Sequence, residues 1–441
     1  MSRSRSPWPR CFVSKSKVGC GRRRGCGSRA GARHERFRAT GRSAAVQPTS
    51  GPGVNHRVTP RHAYVHAPFC ARRCSYCDFA VTVDARPPTN TWLEAIGREL
   101  DQAIEARAWP KLALDTIYVG GGTPSLLGPG AMAGLAATLA RHADWSPGNV
   151  EWTAEANPER FSADLALDWR RAGVNRISLG AQTFDLAVLR WMGRLHGPDG
   201  PGHAVRSARA AGFENLSLDL IFGLPARFER DWSADLDRVL ALDPDHVSLY
   251  GLTAESATPL GRWVAEGREQ LPPEDQYEEE YLLATERLTS AGFVHYEVSN
   301  FARPGRDSRH NRAYWSGAAY LGLGPGAHSF VPPQRWWNVR DWAEYRHRLS
   351  RGEGPVEDHE AVSAEAGALE RAWLGLRTRD GINALSAAEA DLLASWVTRG
   401  LAEPGEGDAV RLTARGWLVL DTLAVAFAEA GSRLEASAGR C

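Results

Sequence analysis

The 441-residue chain has no uninterrupted apolar run approaching the roughly 20 residues that cross a bilayer, so it does not read as an integral membrane protein. Cysteine is scarce where a fold would use it. Of the seven cysteines, Cys11, Cys20 and Cys26 fall near the start and Cys441 ends the chain, which leaves the body only Cys70, Cys74 and Cys77. That excludes a secreted disulfide framework and points to a reducing, cytoplasmic setting. Acid is nearly missing from the first 61 residues, which hold 15 Lys or Arg and the single Glu35. The formal net charge of +1 therefore hides a body about 13 charges negative. Such a body is a poor binder of nucleic acid.

Stretch 1–60 is rich in Arg, Ser and Gly and lacks hydrophobic periodicity, so it is expected to be a disordered basic tail. A wrongly chosen start codon, an organellar transit peptide and a functional basic arm all fit that text.

With 43% hydrophobic and 24% charged residues, the body has the make-up of a globular protein with one large domain and a smaller one. From Arg61 onward, β-rich runs at 63–68, 115–121, 150–156, 176–182, 215–222 and 246–252 alternate with amphipathic stretches at 91–108, 131–143, 163–172 and 232–242. Strand–helix repeats at this spacing predict a parallel sheet with right-handed crossovers. Six repeats fall short of the eight that close a barrel, so the expected α/β architecture is a partial (β/α)6 barrel. Chemistry in such barrels collects at the C-terminal ends of the strands. Here those ends carry Gly120 to Pro124, Glu155, Gln182, Asp219 and Tyr250 to Thr253. Each alone is a turn or cap; several on one rim predict a shared site.

The first strand feeds the stretch from Tyr64 to Phe79, YVHAPFCARRCSYCDF. Three thiolates in a C-x3-C-x2-C arrangement can hold three corners of a cubane iron–sulfur cluster and leave one iron open to a chelating ligand. A zinc knuckle or a dithiol redox pair is the plainer reading. Zinc sites usually supply four protein ligands, however, and no further Cys or His stands at knuckle spacing. The cluster is the reading the spacing favours.

Beyond residue 246 comes a helix at 274–290, then HYEVSNFA, SRHNRAYW and the Gly-rich YLGLGPGAHS. Glycines there permit close approach of a flat ligand or of another element. Helices at 363–377 and 386–400, a β-wing at 409–413 and a last helix at 414–430 predict a winged-helix-like α+β module, read as an interaction domain because the body is acidic. The expected division is barrel 61–300, connecting region 301–340 and C-terminal module 341–430.

From about Arg61 to Ala430 the chain resembles the oxygen-independent coproporphyrinogen III oxidase superfamily of radical S-adenosylmethionine (SAM) proteins, and within it the heme-chaperone branch usually called HemW. The resemblance implies a [4Fe-4S] cluster on Cys70, Cys74 and Cys77. It further implies a SAM site that includes Tyr64, Gly121, Gly122, Thr123, Glu155, Gln182, Arg194 and Asp219. Acids suit the amine and hydroxyls of SAM, and a guanidinium suits its carboxylate. The oxidase branch carries a further Cys where this chain has Phe79, and HNRAYW resembles the HNxxYW signature of the chaperone branch. Heme is then an expected ligand, with His310 as candidate contact and His328 as a second, although a histidine among aromatics is more often simply packed. The function so implied is delivery of heme to apo-hemoproteins, including membrane-bound respiratory ones, with turnover of SAM left open. Oxidative decarboxylation of coproporphyrinogen III and a non-catalytic interaction role are the alternatives.

Overall fold

The computed structural model describes residues 58–146 and 148–438. Cys11, Cys20, Cys26, Cys441 and nearly all of the basic tail lie outside the described residues. The six expected strands are present as β1 (His62–Ala67), β2 (Thr116–Gly121), β3 (Glu151–Ala156), β4 (Arg176–Gln182), β5 (Leu216–Phe222) and β6 (His246–Gly251). They pair in parallel in chain order, each against the next. The crossovers carry α1 (Thr89–Arg107), α2 (Ala131–Ala140), α3 (Ala163–Ala172), α4 (Leu186–Met192), α5 (Gly200–Ala210) and α6 (Trp232–Ala241).

Side-chain alternation along the strands separates two environments. Val65, Ile117, Val119, Trp152, Ile177, Leu179, Leu218, Leu220 and Val247 are fully buried and pack with helix residues into one large apolar core. Helix α3 shows how the local sequence serves that core. Ser162 caps it by accepting the amide of Leu165, Gly173 ends it at φ +109°, and Leu165, Ala166 and Trp169 are buried. Burying side chains the size of Leu165 contributes about 1.5–3 kcal/mol each. The opposite parity is polar: Tyr64, Tyr118, Glu155, Arg176, Ser178, Asp219, Ser248 and Tyr250 all line one cavity. The helix-covered face stabilises the fold, and the other face is left for a ligand.

The sheet extends beyond the six strands. On one side β6 is followed by the antiparallel β7 (Val294–Glu297) and β8 (Asn300–Ala302), with β8 between β6 and β7. On the other side β1 pairs in parallel with β9 (Tyr320–Leu323), a seventh parallel strand that lies outside the six sequence-expected repeats. Then come β10 (His328–Val331), β11 (Gln334–Asn338) and β12 (Val356–Ala361), all antiparallel, for twelve strands in one sheet. The Gly-rich stretch makes its close approach to chain rather than to a ligand. A Cβ on Gly322 would fall 2.0 Å from the carbonyl oxygen of His328, and one on Gly324 would fall 2.7 Å from that of His66.

The remaining helices are α7 (Pro259–Ala265), α8 (Glu274–Ser290), α9 (Arg309–Trp315), α10 (Trp342–Ser350), α11 (Ala364–Arg377) and α12 (Ala387–Thr398). Then the hairpin β13 (Ala402–Pro404) and β14 (Val410–Leu412) leads to α13 (Ala414–Leu418) and α14 (Leu420–Ala438). The single last helix expected at 414–430 is thus interrupted at Val419. A second apolar cluster forms here around Trp373, Leu376, Leu393, Trp396, Leu420 and Phe427, and it takes in Trp315 of α9. Arg377 ties this cluster to the sheet. Its guanidinium lies 2.9 Å from the fully buried Glu297 and stacks over Trp315 at 4.2 Å.

Candidate functional site

The chain leaving β1 forms the cysteine loop, and backbone hydrogen bonds pin that loop to two crossovers and to α7. The amide of Thr123 donates to the Phe69 carbonyl at 2.8 Å, that of Ser75 to Met192 at 3.1 Å, and that of Leu260 to Ser75 at 2.9 Å. Cys70, Cys74 and Cys77 are free, half-buried, and line the cavity together. Burial pushes the Cys70 thiol up to about 11, against a hydrogen bond from Thr123 Oγ1 at 3.4 Å that favours the thiolate. Burial likewise pushes Cys77 up to about 12. Left to themselves these thiols stay protonated. Iron bound to them would supply the positive charge that releases the protons. A hydroxyl donor on Cys70 and the Arg194 guanidinium 3.9 Å from Cys74 Sγ suit thiolate ligands, so the residues fit a cluster.

The SAM-site candidates all face this same cavity: Tyr64, Gly121, Gly122, Thr123, Glu155, Gln182, Arg194 and Asp219. Glu155 accepts from the Tyr118 hydroxyl at 2.8 Å and the Gly121 amide at 3.0 Å. Asp219 accepts from Ser178 Oγ at 3.0 and 3.1 Å. Arg194 donates to Asn157 Oδ1 and the Gly180 carbonyl, both at 2.7 Å, while its buried Nε makes no hydrogen bond among the described residues. Burial works against that guanidinium, and the adjacent Tyr76, Cys74 and Glu159 outweigh it, so its affinity for the proton is raised. A buried cation with an uncommitted donor and two carboxylates along one rim fit the carboxylate, amine and hydroxyls of SAM. Gln182 sits at a β-bulge with φ +68°, a left-handed conformation that costs about 1–3 kcal/mol and re-aims its side chain into the cavity.

His310 and His328 line the cavity as well, with Asn311, Tyr314 and Trp315. His310 is fully buried on α9, whose first amides, at Arg309 and His310, donate to Glu151 at 3.1 Å. Its Nδ1 shares a hydrogen bond with Thr116 Oγ1 at 2.7 Å and its Nε2 with the Tyr314 hydroxyl at 3.1 Å. Burial first, then the charges of His62 and Arg176, hold it well below the ordinary imidazole range, so it is neutral. A neutral imidazole fits a heme iron, but either nitrogen must first give up its present partner. His328 stacks on Trp337 with ring centroids 5.6 Å apart.

Two residues escaped the sequence reading. His66 stands under the glycine turn, its Nδ1 2.9 Å from the Tyr64 hydroxyl and its Nε2 2.9 Å from the Ala80 carbonyl, which fixes the proton on Nε2. Burial pushes it down to about 4. Arg176 opens β4 on the cavity parity and is 2% exposed. The alternation in RISLGAQ puts Arg176 on one face with Ser178, Gly180 and Gln182, and that was the available signal.

Residues 64–239 match the family model of the Radical SAM superfamily. The chain is 38% identical over 369 residues to the heme chaperone HemW of Mycobacterium tuberculosis strain H37Rv, covering 82% of this chain and 94% of that one. It is 35% identical over 368 residues to HemW of Bacillus subtilis, covering 81% and 97%. Among solved structures, coproporphyrinogen III oxidase (HemN) from Escherichia coli superposes with a TM-score of 0.70 at 22% identity, over 84% of this chain and 90% of that one, which establishes a shared fold. The chain belongs to the HemW family of radical SAM proteins.

Proposed function

We propose that this protein binds heme in the cavity and hands it to apo-hemoproteins, with a [4Fe-4S] cluster on Cys70, Cys74 and Cys77 and SAM at the strand ends beside it. One observation carries the reading: the cysteine loop at one part of the cavity and the His310–Asn311–Tyr314–Trp315 group at another face the same enclosed space. A cluster held by Cys70, Cys74 and Cys77 would supply one-electron chemistry beside the SAM site. The chain's own part is positional. Arg194 is held by Asn157 and Gly180 beside Cys74, Glu155 and Asp219 are kept as oriented acceptors, and Tyr64, Tyr118, Tyr314 and Trp315 offer flat faces to a porphyrin. The acceptors we assign are membrane-bound respiratory hemoproteins reached from the cytoplasm. No described helix is long and apolar enough to cross a membrane.

The oxidase alternative requires decarboxylation of propionates, and Phe79 stands in the cavity where that branch has a further Cys. The test is anaerobic reconstitution, then heme titration and a coproporphyrinogen III assay on one preparation. We expect about one equivalent of heme bound, His310→Ala weakening it or shifting its absorption, and no protoporphyrinogen IX with SAM and reductant. Alanine at Cys70, Cys74 or Cys77 should remove the cluster absorption. Efficient decarboxylation would replace the chaperone reading by the enzyme.

A further inference from the structure

The cavity holds, at the start of β4, a cation that no described residue pairs with. Arg176 is 2% exposed, its Nε is buried without a hydrogen-bond partner, and its side chain faces the cavity. No ion pair or hydrogen bond reaches its guanidinium among the described residues. The acids nearby hold other donors. Glu151 takes the amides of Arg309 and His310, Asp219 takes Ser178 and Ser217, and Glu297 takes Arg377. Arginine stays charged in proteins, and an isolated buried charge is costly, so a chain retains one where an anion comes to meet it.

The anion is not the carboxylate of SAM. Arg176 and Gln182 are the two ends of β4. Six residues at about 3.3 Å each put Arg176 about 20 Å from Gln182 at the far end of the strand, where Arg194 beside the cysteine loop is the cation suited to the SAM carboxylate. Glu155 and Asp219, which suit its amine and hydroxyls, lie between, level with Ser178 and Gly180. The rest of the wall between the two ends is Tyr118, Tyr250 and the His310–Tyr314 pair, flat and mostly apolar in face. A ligand reaching Arg176 is therefore broad, planar and carboxylate-tipped.

Resting on the reading of heme as cargo, we propose that Arg176 is the anchor for a heme propionate, and that heme enters propionate-first with its ring between the aromatic wall and α9. A planar guanidinium matches a carboxylate in two parallel hydrogen bonds. Such charge-assisted bonds correspond to about ten- to a hundredfold in affinity. The site selects for a free acid at that position, which gives the carrier a means of distinguishing heme from an esterified or decarboxylated porphyrin.

The test compares heme with heme dimethyl ester, in which both propionates are blocked, on the full chain and on Arg176→Gln and Arg176→Lys. The wild type is expected to prefer the free acid. That preference should fall at least about tenfold in Arg176→Gln and less in Arg176→Lys, which keeps the charge and loses the fork. SAM binding to the reconstituted protein should not change. Without ligand, Arg176→Gln should melt no lower than wild type, because the substitution removes an unpaired buried charge. An unchanged acid-to-ester preference, a loss confined to SAM, or a lower melting temperature without ligand each overturns the assignment. A wild type that binds no heme at all overturns the cargo reading itself, and is told apart by needing no variant.

Discussion

Gly121 meets two demands that no other residue can. Its φ is +96°, and a Cβ there would lie 2.1 Å from His66 Cε1 and 2.8 Å from the Tyr64 hydroxyl. The room left by the missing side chain is thus taken by the histidine that orients Tyr64. Gly130 is a natural control, left-handed at φ +77° with nothing within 4 Å of a built Cβ. Gly130→Ala should cost only the left-handed backbone term, about 1 kcal/mol, while Gly121→Ala should cost at least about 3 kcal/mol by adding a clash. Urea midpoints of the two variants measure the difference, and equal losses would show that His66 yields without penalty. Legibility at this scale followed sequence distance. Cys70, Cys74 and Cys77 could be read directly because their spacing is local, and so could the acids at strand ends. His66 could not, and for Arg176 the alternation gives the face but not the surroundings, since what both residues meet is set by strands paired across tens of residues, such as Thr153 against Arg176.

Among the elements, α1 is joined to the sheet's added strands by one buried carboxyl. Glu99 accepts from the Gly324 amide at 2.7 Å, Asn338 Nδ2 at 2.5 Å and the Tyr345 hydroxyl at 2.5 Å. Burial outweighs these three donors and pushes Glu99 up to about 7, from an ordinary value of 4.5. Between those values the folded chain binds the extra proton and the unfolded chain does not. This group's contribution is therefore fully present at low pH and declines as pH rises towards 7, by a total on the order of 3 kcal/mol. Glu99→Gln should lose that slope. Comparing wild type and variant at about pH 5 and about pH 8 should show the wild type falling relative to the variant; parallel curves would place the titration elsewhere. Helices such as α3 and α8 were legible because they have helical periodicity and clear starts and stops. Strand β9 was not, because it is four residues long with Gly322 inside it, and a glycine weakens the strand signal. Only the approach of His328 explains why that glycine is there.

For the whole molecule, the division between faces of the sheet matters most. Fully buried Val, Ile, Leu and Trp side chains on one parity provide the stability, which frees the other parity for tyrosines, serines, carboxylates and Arg176 around a single cavity. The alternation that produces this was present in each strand of the sequence, but only the polar ends were read as a site. The depth of the cavity became visible once the strands were aligned. A protein whose interior is lined in this way can hold a large polar-edged ligand and still fold around a conventional core. Delivery is the central claim, and one measurement addresses it directly. The full chain, reconstituted and carrying one equivalent of heme, is mixed with a membrane-bound respiratory cytochrome stripped of heme, and the acceptor's absorption is followed in time. The account requires heme to reach the acceptor faster than from an equal amount of free heme. Heme that stays on the protein, or arrives no faster than free heme, would contradict it.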